Sequence, residues 1–88
     1  MATTENQISK PVNRKLLRMI VVYHHTADYP DHNFVARQWF MLAGRFWSQQ
    51  TLFATGATLR EVRGAIPPHM VCIPRLPGED PVIVETWI

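Results

Sequence analysis

Five side chains able to bind a metal or move a proton fall within nine residues: His24, His25, Asp28, Asp31 and His32. Imidazole and carboxylate are competent ligands for zinc and other divalent ions. The spacing, however, matches no helical metal motif such as H-E-x-x-H. On a strand His24 and His25 would point to opposite faces, so at most one of them could join Asp28, Asp31 and His32. Their neighbours Thr26, Ala27, Tyr29, Pro30 and Asn33 complete a run rich in turn formers. The cluster therefore reads as a polar hairpin loop rather than a metal site. Cys72, within Met70-Val71-Cys72-Ile73, sits in an apolar strand context where a buried, unreactive thiol is expected. Ser9 and Ser48 occupy no nucleophile elbow, and Gly44, Gly56, Gly64 and Gly78 are isolated, so no phosphate-cradling loop is present. Glu79-Asp80 lacks a partnered base and reads as a solvated hairpin tip. The expectation is a non-enzymatic protein with no metal and no cofactor.

Aromatic residues interleaved with arginine, as in Val35-Ala36-Arg37-Gln38-Trp39-Phe40, suit either of two jobs. They can stack single-stranded bases, or they can anchor a protein–protein interface, where Tyr, Trp and Arg are enriched. Charge separates the two. Four of the nine basic residues, Lys10, Arg14, Lys15 and Arg18, lie in the first 18 positions, opposed there only by Glu5. The other 70 residues carry five basic and six acidic groups, a net charge of −1. The pI near 9.1 is thus a property of the N-terminus, and attraction to nucleic acid is expected mainly from residues 1–18. A near-neutral body with an aromatic face fits a protein interface better than a phosphate track.

The elements that must carry these residues follow from length and pattern. Eighty-eight residues, 47% hydrophobic and 18% charged, allow one globular domain. Residues 19–23 form an apolar run of five, against the ~20 a membrane helix needs. No secretory leader and no disulfide framework are expected, and a cytoplasmic setting follows. Residues 1–18 read as a flexible basic arm and 19–88 as a single domain; the alternative for the arm is a short helix over 12–18 behind Pro11. Strands are expected at 19–25 and 33–42, with a third, edge strand at 51–55. Phe46 and Trp47 fall in the connection and are expected to fold back as a lid.

Thr58-Leu59-Arg60-Glu61 is a capping box, and Leu59, Val62 and Ile66 form one helical stripe stopped by Pro67-Pro68. This predicts a helix of about eight residues, ~12 Å long. A final hairpin is expected over 70–75 and 82–88, turning at Pro77-Gly78 with type II geometry. The fold class is α+β: a mostly antiparallel sheet of four to five strands with one short helix, in the order β-β-β-α-β-β.

Strand alternation assigns the faces. Ile20, Val22, Phe34, Ala36, Phe40, Val82, Val84 and Ile88 should meet the helix. Val21, Tyr23, His25, Val35, Arg37, Trp39, Met41, Ile83, Glu85 and Trp87 should form the second face, with Glu85 opposite Arg37. One short helix covers one side only, so Tyr23, Arg37, Trp39 and Trp87 are the candidate partner-binding residues. Their cover would be the residue 46–47 segment, a second copy of the chain or a partner.

The segments T-L-x-E-x-R-x-x-I-P-P (58–68) and P-G-x-D-P-V-I-V-E-x-W (77–87), with Tyr29-Pro30 and F-V-x-R-x-W (34–39), resemble a family of short bacterial hypothetical proteins. The resemblance spans about 70 residues and departs from the family pattern at RFWSQQ after Gly44. It implies no activity. Such proteins resemble accessory products of phages and mobile elements, among which stoichiometric inhibitors, including anti-CRISPR proteins, are found. Two functions are therefore expected in turn: a binding module that occludes a protein or ribonucleoprotein partner, and, as the alternative, a nucleic-acid binder using Lys10, Arg14, Lys15 and Arg18 with the Arg37–Trp39 face. A metal-dependent enzyme on the 24–32 loop ranks third.

Overall fold

A computed structural model describes residues 15–88. The chain forms β1 (Leu17–His24), β2 (Phe34–Leu42), β3 (Arg45–Ser48), β4 (Ala54–Gly56), the helix α1 (Leu59–Gly64), β5 (Cys72–Pro74) and β6 (Ile83–Trp87). All strand pairs are antiparallel, in the spatial order β3-β2-β1-β6-β5, with β4 pairing a second stretch of β2. This is the expected α+β class: an antiparallel sheet with one short helix.

β1 and β2 are the spine. Their β-branched and aromatic residues favour the pleated conformation, and eight consecutive pairs run from Leu17↔Met41 to His24↔Phe34. β1 starts two residues before the expected point, so Leu17 and Arg18 belong to the sheet and not to an arm or a helix. Of the four arm cations, Lys10 and Arg14 lie outside the described residues. Lys15 is exposed. Arg18 donates from Nε to Gln38 Oε1 at 2.7 Å, with its guanidinium 5.6 Å from the centre of the Phe53 ring.

The 45–48 segment differs from the expected lid. It is a strand, joined to β2 by the two-residue turn Ala43-Gly44, whose φ values of 50° and 82° are both left-handed. Paired left-handed residues match the right-handed twist of a hairpin, as in a type I′ turn. The expected third strand at 51–55 is the three-residue β4, which starts three positions later and ends one later.

Beneath α1 lie Ile20, Val22 and Ala36, fully buried, with Val62, Ile66 and Met70 above them. The capping box forms as expected. Thr58 Oγ1 accepts from the Glu61 N–H at 3.2 Å, and Glu61 Oε1 accepts from the N–H groups of Thr58 and Ala57 at 3.1 and 2.8 Å. α1 has six residues rather than eight because Ala65 already caps it. Gly56 permits β4 to run against the helix start, since a Cβ there would lie 2.9 Å from Glu61 Cβ. At the last hairpin the Glu79 N–H donates to Leu76 O at 3.1 Å and Gly78 has φ 96°, the expected type II arrangement.

The face assignment holds on β1 and β2, and on β6 for Ile83, paired with Tyr23, and Val84, packed against the core, but it fails from Glu85 onward. Tyr23 pairs with Ile83 but Val22 pairs with Glu85, so Val84 is an extra residue at a β-bulge. The bulge moves every later residue of β6 to the other side. Glu85 opposes Val22 and Trp87 opposes Ile20, which puts both on the helix face. Trp87 is therefore not beside Tyr23 and Trp39, and Glu85 does not oppose Arg37. Ile88, expected in the core, is 51% exposed.

Candidate functional site

Tyr23, Arg37 and Trp39 do come together, on the face away from α1. Residues 21 and 37 are paired across β1 and β2, with Tyr23 and Trp39 on either side. Trp39 Nε1 donates to the Tyr23 hydroxyl at 3.0 Å, so the two rings reach toward each other over the sheet. Val21 and Val35, on the same face, are only 9% and 2% exposed. Burial pushes the Tyr23 phenol above its ordinary pKa, partly offset by the Trp39 hydrogen bond and the Arg37 charge, with Asp80 adding a weak rise. The phenol is neutral at physiological pH and keeps its proton as a donor.

Part of the cover comes from the β1–β2 loop. β1 ends where His25 takes φ 58°, and Tyr29 N–H→Thr26 O (3.3 Å) and His32 N–H→Tyr29 O (3.2 Å) curl the loop. Tyr29 is thereby brought over Arg37. Arg37 Nη2 donates to the Tyr29 hydroxyl at 2.8 Å and Nη1 to Gln49 O at 3.3 Å, with Ser48 Oγ at 3.5 Å. The guanidinium carbon lies 5.6 Å from the Tyr29 ring centre, within cation–π range. A cleft of about 280 Å³ remains between Tyr23, Tyr29, Arg37, Trp39 and Ser48, floored by Val35 and edged by Thr26 and Asp28. The Thr26 hydroxyl is buried with no hydrogen-bond partner among the described residues.

The sequence pattern did not reveal Tyr29, Ser48 or Gln49 as partners of Arg37. Tyr29 left one trace, as the single large aromatic in a run of turn formers. Ser48 and Gln49 arrive through a hairpin that the sequence showed only as a break.

On the opposite face, Trp87 and Glu85 serve a different arrangement. Glu85 is 3% exposed and accepts Arg63 Nε at 2.9 Å, Arg63 Nη2 at 2.6 Å and Trp87 Nε1 at 2.9 Å. The Arg63 hydrogen bonds outweigh burial and, with that from Trp87, hold the carboxyl below the usual carboxylate range. Burial and then the Glu85 charge push the half-buried Cys72 thiol up, so it stays protonated at neutral pH. This cluster bolts the end of α1 to β6.

His24 and His25 do not diverge as a continued strand would require. Because His25 has left the strand, their ring centres are 3.8 Å apart, and His24 also stacks on Phe34 at 4.2 Å. Among the described residues, no three His, Cys, Asp or Glu side chains are grouped as a metal ion would need. The nucleic-acid alternative also loses continuity, since Arg18 shares the Gln38 side of the sheet while Arg37 and Trp39 occupy the other. Among the described residues no helix is long and apolar enough to cross a membrane.

Comparison with known proteins gives no matching family model, no matching curated protein and no matching solved structure.

Proposed function

We propose that this chain is a non-enzymatic binding module that occludes a protein or ribonucleoprotein partner through the Tyr23–Arg37–Trp39 face, enlarged by Tyr29. The observation that carries this reading is the cleft itself. Two tyrosines, a tryptophan and an arginine are preorganised by hydrogen bonds to one another on a rigid two-strand platform. Large aromatic groups with few rotatable bonds and a guanidinium already held by hydrogen bonds, half-desolvated before binding, are what an interface hot spot requires. Trp87, on the other face, has no part in it. An inhibitory role of the phage or mobile-element kind belongs to this proposal as its biological setting, on the strength of the sequence resemblance alone.

The test is capture from nuclease-treated host extract by the wild-type chain and by Tyr29→Ala, with folding of both checked by circular dichroism. A partner retained by the first and lost by the second supports the face as the docking surface. A partner retained equally by both moves the interface elsewhere. If capture survives only without nuclease, the nucleic-acid alternative, with Lys15 and the more N-terminal cations, takes precedence.

A further inference from the structure

Resting on that reading, we infer that Arg37 is the seat for a carboxylate of the partner: an Asp or Glu side chain, flanked by an apolar residue that enters the aromatic part of the cleft. The argument is one of unmatched charge. Arg37 has five N–H donors, and its acceptors among the described residues are neutral: a phenol, a serine hydroxyl and a backbone carbonyl. No carboxylate of the described residues forms an ion pair with it, whereas Arg63 holds Glu85 with two short bonds. Arg37 Nε donates to none of them. A half-buried guanidinium is much better satisfied by a carboxylate, which accepts two parallel N–H bonds, than by neutral oxygens.

The guanidinium itself selects an anion over a cation, and its Nε–H and second Nη2–H have no acceptor among the described residues. Two carboxylates stand near. Asp28, exposed, lines the cleft, and the Asp80 charge acts on Tyr23. Asp28 therefore weakens the site by repulsion, which provides a variant that should improve binding.

The experiment is an NMR titration of the ¹⁵N-labelled full chain with acetyl-Leu-Glu-Leu-amide, acetyl-Leu-Gln-Leu-amide and inorganic phosphate. The Arg37 Nε–H and Trp39 indole N–H signals are the readout. The Glu peptide is expected to shift both signals saturably, and the Gln peptide to bind at least about tenfold more weakly. Asp28→Asn should tighten the Glu peptide severalfold, and Arg37→Lys should weaken it while leaving the spectrum folded. Equal shifts with Glu and Gln peptides would overturn the proposal, as would an unmoved Arg37 Nε–H. Binding of phosphate without binding of the Glu peptide would also overturn it, by making this a free-anion site. If Tyr29→Ala abolishes partner capture while Arg37→Met retains it, the binding face stands and the carboxylate seat falls.

Discussion

The two faces of one sheet hold two arginines in opposite conditions. On the helix face Arg63 reaches Glu85, and Trp87 adds a third hydrogen bond to that carboxylate, so this charge pair is closed, while Arg18 on the same side rests on neutral Gln38 and the Phe53 ring. On the far face Arg37 is held by Tyr29, Ser48 and Gln49, oxygens without charge. The helix face is closed by apolar packing and by an ion pair; the far face is shaped but electrostatically incomplete. A fold needs only one such closed face. The second can be kept rigid by its own hydrogen bonds and still present donors outward, and this difference is the physical basis for assigning stability to one side and binding to the other.

The sharpest way to break that division is a cavity on each side. Ile20 is fully buried beneath α1, and Ile20→Ala should cost about 2–5 kcal/mol of unfolding free energy. Trp39→Ser, on the far face, removes one hydrogen bond to Tyr23 and an edge contact with Phe46 at 6.2 Å. Its cost should be about 1–2 kcal/mol. Urea unfolding of both variants checks this. Equal losses would make Trp39 a core residue and remove the far face from consideration as an interface.

The ion pair gives the next effect. Arg63→Met leaves a 3%-exposed carboxylate with Trp87 as its remaining hydrogen-bond partner among the described residues and should cost about 1–3 kcal/mol at neutral pH, moderated because Arg63 is half exposed. The sign with pH is fixed by the direction of the Glu85 shift. Its folded pKa lies below its unfolded one, so its contribution is fully present above the unfolded value, about 4.3, and is lost as pH falls through the folded value. The stability gap between the wild type and Glu85→Gln should therefore be constant from neutral pH to about pH 5 and close below about pH 4. A gap that widens on acidification would contradict the pairing.

What could be read from the sequence divides along the same line. The capping box, the Leu59–Val62–Ile66 stripe and the Pro77-Gly78 turn are local signals, each contained in a few residues, and each is present in the structure. The alternation of β1 and β2 is also local and placed Tyr23, Arg37 and Trp39 together. Trp87 went wrong because a bulge is a property of two strands at once. Val82–Trp87 alternates without fault as written, and only pairing with β1 shows that Val84 is supernumerary. Tyr29 was missed for a related reason, since a loop has no periodicity to say which way it folds.

Thr58→Ala tests the best of those local signals and should cost about 1 kcal/mol, through loss of the Oγ1 acceptor for the Glu61 N–H.

The smallest effect expected is a gain, at the turn the sequence concealed. Ala43 has φ 50°, which costs an L-residue with a plain methyl side chain about 1–2 kcal/mol and costs asparagine less. Asn-Gly is the preferred pair for a two-residue turn of this kind, whereas Ala-Gly carries no such signal, which is why this segment reads as an interruption rather than a hairpin. Ala43→Asn should thus raise stability by about 0.5–1 kcal/mol, measured as an increased urea midpoint with an unchanged slope. The turn lies far along β2 from the cleft, but β3 delivers Ser48 to Arg37, so a firmer hairpin should also slow solvent exchange of the Arg37 Nη1 protons. A destabilised variant would mean that the left-handed geometry at Ala43 is wrong. A stabilised variant with unaltered Arg37 exchange would separate the hairpin from the cleft and leave Tyr29 as the contact that fixes the guanidinium.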